Sequence, residues 1–171
     1  MDTFVFEVLI DNVKIILASI CLDINQQIDI DLMKIEAIIQ HAKGTGILIA
    51  MDSNSRSTSW HDTLTNTRDR ILEEFLLSQQ SHIMNEEREY TTSLSCRGTN
   101  NIDLTVISNQ LFRAVVECEL SDQESCSDHS IIRYAIGQGK GNRIEYDFQD
   151  VSYIVQNANR EIPGKPASVK R

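Results

Sequence analysis

No stretch of this 171-residue chain approaches the roughly 18 consecutive apolar residues of a membrane-crossing helix, and no basic segment followed by an apolar run opens it. Those absences read as a soluble, intracellular protein with no membrane partner. Cysteine is sparse: Cys21, Cys96, Cys118 and Cys126 form no CxxC pair, which points away from a zinc site and a disulfide framework and towards reduced thiols. Basic charge is also short. Residues 1–136 carry 10 Lys and Arg against 21 Asp and Glu, while the remainder carries 6 against 4. A body this acidic is not built to coat nucleic acid, although a divalent cation and a local basic rim offset repulsion from a DNA substrate. It predicts weak, salt-dependent binding. Gly44-Thr45-Gly46 lacks the Lys-Ser/Thr of a phosphate-binding loop and precedes a strand, so that motif carries no nucleotide-binding reading.

What is present is enough apolar residue, 41% of the chain, to bury one core. Two β-branched runs, 4–10 and 13–21, broken by Asp11-Asn12, predict a hairpin. Leu32, Ile35, Ile38 and Ile39 recur at helical spacing over 29–43, and Ile71, Leu72, Phe75 and Leu76 over 68–79. Between them Ile47–Met51 is a short apolar run suited to a strand buried on both faces. Further strands are expected near 82–84, 102–108, 112–120 and 130–136, with a polar loop over 85–99 and an acidic one over 121–128. The pattern is mixed α/β, helices layered on sheet, in a domain spanning 1–136. Residues 137–171 read as a linker and weakly structured tail.

Three polar clusters stand at predicted strand ends, where a rigid frame presents side chains to a cleft. Asp52 and Asn54, two apart on an extended segment, would point the same way, a carboxylate to activate water and an amide to donate to phosphate. His129 suits the charge of a pentavalent phosphate, Asp128 a metal or a water, and Asp103 the other imidazole N–H. Each cluster also fits an ordinary Asx loop or polar turn. Arg68 and Arg70 at a helix start, and Arg97 in a turn-rich loop, could contact phosphate, or for the helix pair could simply meet Glu73 and Glu74. Trp60-His61 could stack on a base or seal the loop against the core.

Taken in order, Ile47-Leu-Ile-Ala-Met-Asp52-Ser-Asn54, Trp60, Thr65-Asn-Thr-Arg68-Asp-Arg70, Arg97-Gly-Thr-Asn-Asn-Ile-Asp103 and Ser127-Asp128-His129 resemble the endonuclease/exonuclease/phosphatase superfamily, closest to the apurinic-type endonuclease domain of non-LTR retrotransposons. The resemblance covers residues 4–136. It implies a layered sandwich of two mixed sheets flanked by helices, and Mg²⁺- or Mn²⁺-dependent hydrolysis of a DNA phosphodiester that nicks the target strand. By matching motif positions, Asp52 would activate water, Asn54 hold the phosphate, His129 stabilise the transition state, Asp103 orient His129, and Asp128 lie near the metal. A downstream reverse transcriptase region is an implied partner, and the nucleus, where chromosomal DNA is met, the implied location.

This chain departs from the family's pattern. The family's domain opens with strands carrying an Asn and a metal-binding Glu, and the chain is expected to lack those N-terminal strands and to be incomplete or inactive alone. Met51 stands for a Gly, Cys21 for an aromatic and Asp69 for a Gly, each expected to disturb the cleft. Two other readings stay open: a catalytically dead module binding nucleic acid or protein, and a phosphatase of the same superfamily.

Overall fold

The computed structural model describes residues 2–10, 13–42, 44–87, 91–95, 98–112, 114–136 and 144–146. Strands β1 (Asp2–Ile10) and β2 (Val13–Cys21) form the expected hairpin, and β3 (Gly46–Asp52) returns parallel to β2 through helix α1 (Ile28–His41). Helix α2 (Thr67–Ser78) leads to β4 (Ser81–Ile83). A hairpin of β5 (Ser93–Ser95) and β6 (Gly98–Asn100) occupies the stretch that composition marks as polar loop; Ser, Gly and Asn are poor strand formers, so propensity conceals it. Then come β7 (Asp103–Ser108), β8 (Val115–Leu120), β9 (Ile132–Ile136) and β10 (Ile144–Tyr146). The larger sheet is mixed, in the order β1-β2-β3-β7-β4. The smaller, β10-β9-β8, is antiparallel throughout its described strands. Of the expected tail, only β10 is described; the rest of 137–171, and Arg97, lie outside the described residues.

Strand alternation sorts the larger sheet's side chains into two cores. Ile16, Ala18, Ile20, Ile47, Ile49, Met51, Leu104 and Val106 meet the helices, where Leu32, Ile35, Leu72 and Leu76 form the apolar stripes. The opposite parity, Ile15, Leu48 and Ile107, meets Tyr134 and Ile136 of the smaller sheet. Met51 therefore points into the helix-side core, 2% exposed, and does not crowd the face carrying Asp52.

Each helix is bounded by local chemistry. Asn66 caps α2: its side chain accepts from Asp69 N–H while the Asp69 carboxylate accepts from Asn66 N–H. Asp69, fully buried, also accepts from the Arg56 N–H at 2.7 Å, so it ties the loop after β3 to the helix instead of intruding on a cleft. Gly44, just beyond α1, has φ +82, the left-handed turn that a residue with Cβ resists. Trp60 sits in a single 3-10 turn, Thr58–Trp60, and is wholly buried, sealing the loop against the core.

Candidate active site

The register of the larger sheet builds the site. Cys21 on β2 stands opposite Asp52 on β3, and Asp52 opposite Asp103 on β7. All three share the parity that faces the smaller sheet, so three polar side chains line up on adjacent strand ends above an apolar floor. The chain between β8 and β9 brings His129 to this row. An isolated bridge pairs His129 with Ser93, and Leu94 N–H to Asp128 O (2.7 Å) and Ser130 N–H to Thr92 O (2.8 Å) fix the segment against the β5–β6 hairpin. His129 Nδ1 lies 2.9 and 3.0 Å from the two carboxylate oxygens of Asp103.

This arrangement separates the charges. The hydrogen bond to Asp103 pushes His129 up to about 9 against the opposing effect of burial, and the charges of Asp103, Asp52 and Asp128 add to the rise. At neutral pH the ring is an imidazolium. Asp52 is raised by burial and then by the Asp103 charge, while Cys21, the Asn54 N–H and His129 pull the other way. One half-buried carboxylate, its acid raised, beside a ring charged at neutral pH is the environment of a proton acceptor next to a charge stabiliser.

Asn54 reaches the site by a route that extended spacing does not describe. Its φ of 48 is left-handed: the strand ends at Asp52, whose Oδ1 accepts from Asn54 N–H at 3.1 Å and turns the chain. The Asn54 amide then donates to Leu22 O at 2.8 Å and, more loosely, to Asp52 Oδ2 at 3.4 Å. Asp128 is exposed, bonded to the Ser127 hydroxyl, with an oxygen 3.8 Å from His129 Nε2. Arg68 is put to another use: its guanidinium donates to Gln26 O and Asp23 O and pairs with the fully buried Asp31 at 3.5 Å, anchoring α2 to α1. Its partners are thus Gln26, Asp23 and Asp31, not Glu73. Arg70 is exposed on α2.

A supporting frame escapes sequence reasoning. Asp62 accepts from Arg56 Nε, Thr63 N–H and Asn101 N–H; burial pushes its acid up, and these donors bring it below the usual range. Thr92 Oγ1 accepts from the N–H groups of Ile102 and Asp103 at 3.1 Å. These bonds set where β7, and hence Asp103, begins. The only sequence signal was an abundance of Asp, Asn and Thr in loops.

A family model described as endonuclease–reverse transcriptase matches residues 15–133. This chain belongs to that family. The match takes in the whole site, from Cys21 to His129. One relative, the retrovirus-related Pol polyprotein from the type-1 retrotransposable element R1 of Bradysia coprophila, is 26% identical over 100 residues, covering 54% of this chain and 10% of its own length. Among solved structures, the endonuclease domain of the telomere-specific non-LTR retrotransposon TRAS1 superposes with a TM-score of 0.74 at 20% identity, over 81% of this chain and 63% of that one. The apurinic endonuclease of Leishmania major follows the same fold at 0.57 and 12%, over 79% and 54%. The chain thus spans a tenth of the polyprotein and under two thirds of the TRAS1 domain. Its fold is that of endonuclease/exonuclease/phosphatase domains, with a five-stranded mixed sheet and few helices.

Divalent metals generally serve this family, and the donor set can be tested for one. Both oxygens of Asp103 face His129, an imidazolium has no lone pair to give, and the exposed Asp128 lies with an oxygen 3.8 Å from the other ring nitrogen. Among the described residues no three acid, histidine or cysteine side chains converge as ligands. The residues described do not by themselves make a cation cage.

Proposed function

We propose that this chain is a retrotransposon-type endonuclease domain that hydrolyses a phosphodiester bond, nicking one strand of DNA. The observation that carries the reading is the row Asp52–Asp103–His129, with a poised carboxylate and an imidazolium held at one mouth. Asp52 orients the attacking water and takes its proton as the water oxygen bonds to phosphorus. Asn54 donates to a non-bridging oxygen by exchanging its long 3.4 Å bond for one to substrate. His129 lies where negative charge gathers on the pentavalent phosphate, and Asp103 keeps the ring oriented and charged. The leaving sugar oxygen is protonated from solvent. The retrotransposon relatives support DNA as substrate and a reverse transcriptase region as neighbour in a longer polyprotein.

A specific observation favours a second reading, a module that binds without cutting. A cleft of about 980 Å³, floored by Phe4, Phe6, Leu17 and Leu48, runs into the site, and the cation cage is missing among the described residues. Conversion of supercoiled plasmid to nicked circles in magnesium buffer separates the two. Nicking that falls at least about 10²-fold in Asp52→Ala supports the enzyme. Equal nicking by both proteins overturns the role given to Asp52, and retention of plasmid without nicking supports the second.

A further inference from the structure

We propose that Cys21 is a positioning residue for this reaction, its thiol holding Oδ2 of Asp52 so that the carboxylate stays aimed into the cleft while substrate is bound. The inference rests on the nicking reading. Cys21 closes β2 directly abreast of Asp52, and its Sγ lies 3.3 Å from Asp52 Oδ2. Both side chains share the parity facing the smaller sheet, and both line the cleft. The resemblance implies an aromatic residue at this position; here a thiol stands there, hydrogen-bonded to Asp52.

The donors around Asp52 make the thiol's task specific. Oδ1 is held by the Asn54 N–H, and Oδ2 receives two donors, Cys21 Sγ and the Asn54 amide. An amide has two hydrogens. One of Asn54's is committed to Leu22 O at 2.8 Å, so the hydrogen it offers a phosphate is the one now resting 3.4 Å from Oδ2. Once that hydrogen moves to substrate, Cys21 is the remaining described donor to Oδ2. The thiol is suited to staying protonated: burial, then the Asp52 charge, pushes it up to about 11. Asp2 of β1, opposite Cys21 in the hairpin, adds to the rise. A thiol so disfavoured as thiolate is a poor nucleophile and a persistent donor.

The test uses the whole chain in three forms, wild type, Cys21→Ala and Cys21→Ser, with two readouts. In carboxyl-¹³C aspartate spectra, with the Asp52 signal assigned through Asp52→Asn, Cys21→Ala is expected to move the Asp52 midpoint upward and Cys21→Ser to return it towards wild type. Asp103 and His129 face Asp52 equally in all three, so their influence cancels. In single-turnover nicking, Cys21→Ala is expected to lower the rate about 3- to 10-fold, the scale of one weak hydrogen bond, with substrate affinity unchanged and Cys21→Ser restoring most of it. An Asp52 midpoint that is the same in all three overturns the proposal, as does a shifted midpoint with equal nicking by alanine and wild type. A wild type that does not nick defeats the reading of function, and with it any catalytic role for Cys21; the carboxylate titration still decides whether the thiol holds Asp52.

Discussion

Replacing Asp103 by asparagine probes the charge pattern of the site while leaving its shape nearly intact. In the folded chain His129 rises from 6.5 to about 9, which by 1.36 kcal/mol per unit is about 3 kcal/mol in favour of the imidazolium. Roughly a third of the ring is open to water, with 32% of the side chain exposed, so screening halves this to about 1–2 kcal/mol. The sign follows from linkage: a base whose folded value is raised contributes stability in full below about 6.5, and the contribution disappears as pH climbs through about 9. At pH 7.5 most wild-type rings carry the proton, whereas a histidine at its ordinary value is mostly neutral. Asp103→Asn keeps an acceptor for Nδ1 but removes the charge, so His129 should titrate well below its wild-type midpoint. Proton NMR of the four histidines, with His129 assigned through His129→Gln, reads this directly. Urea unfolding should show the variant most destabilised near pH 6, with the gap closing by about pH 9.5. A wild-type His129 that titrates near 6.5, or one whose midpoint Asp103→Asn leaves in place, would refute the reasoning.

Other outcomes follow from the same geometry. Asp52 is raised above its ordinary value, so its ionised form is disfavoured by folding and stability is lost as pH rises through the acid range. Asp52→Asn should therefore unfold at an equal or higher temperature than wild type at pH 7 by calorimetry while losing nicking; a clear fall in Tm would contradict this. Arg68→Ala strips the principal cation from the fully buried Asp31, and should cost about 2–4 kcal/mol in urea unfolding, with an effect on DNA binding no greater than the loss of fold explains. Asn66→Ala removes half of the capping box of α2 and should cost about 1 kcal/mol.

Much of the fold was legible because the core obeys simple periods. The continuous apolar run of β3 marks a strand buried on both faces, the 3.6-residue spacing of Leu72 and Leu76 commits one face of α2 to burial, and the observed ends of α1 and α2 differ from the expected ones by one or two residues. The β5–β6 hairpin was hidden because its strands are short and polar, held by pairing with a segment some thirty residues away. That Asp52, Asp103 and His129 come together matches the motif order, but the geometry that joins them was not legible. Asn54 arrives through a left-handed turn, Arg68 is drawn off by Asp31, and the Cys21–Asp52 bond spans 31 residues, a contact made by parallel register that no local pattern encodes. Asp69 shows the reverse: a departure from the family's glycine that looked disruptive is a capping and loop-tying group.

The central claim, that an ionised Asp52 and a protonated His129 act together on one phosphodiester, is tested most directly by the pH dependence of single-turnover plasmid nicking. The rate should rise as Asp52 ionises, hold a plateau across neutrality and fall near pH 9, with the falling limb displaced to lower pH in Asp103→Asn. A falling limb already at pH 6.5 in the wild type, or a profile that His129→Ala leaves unchanged, would contradict it.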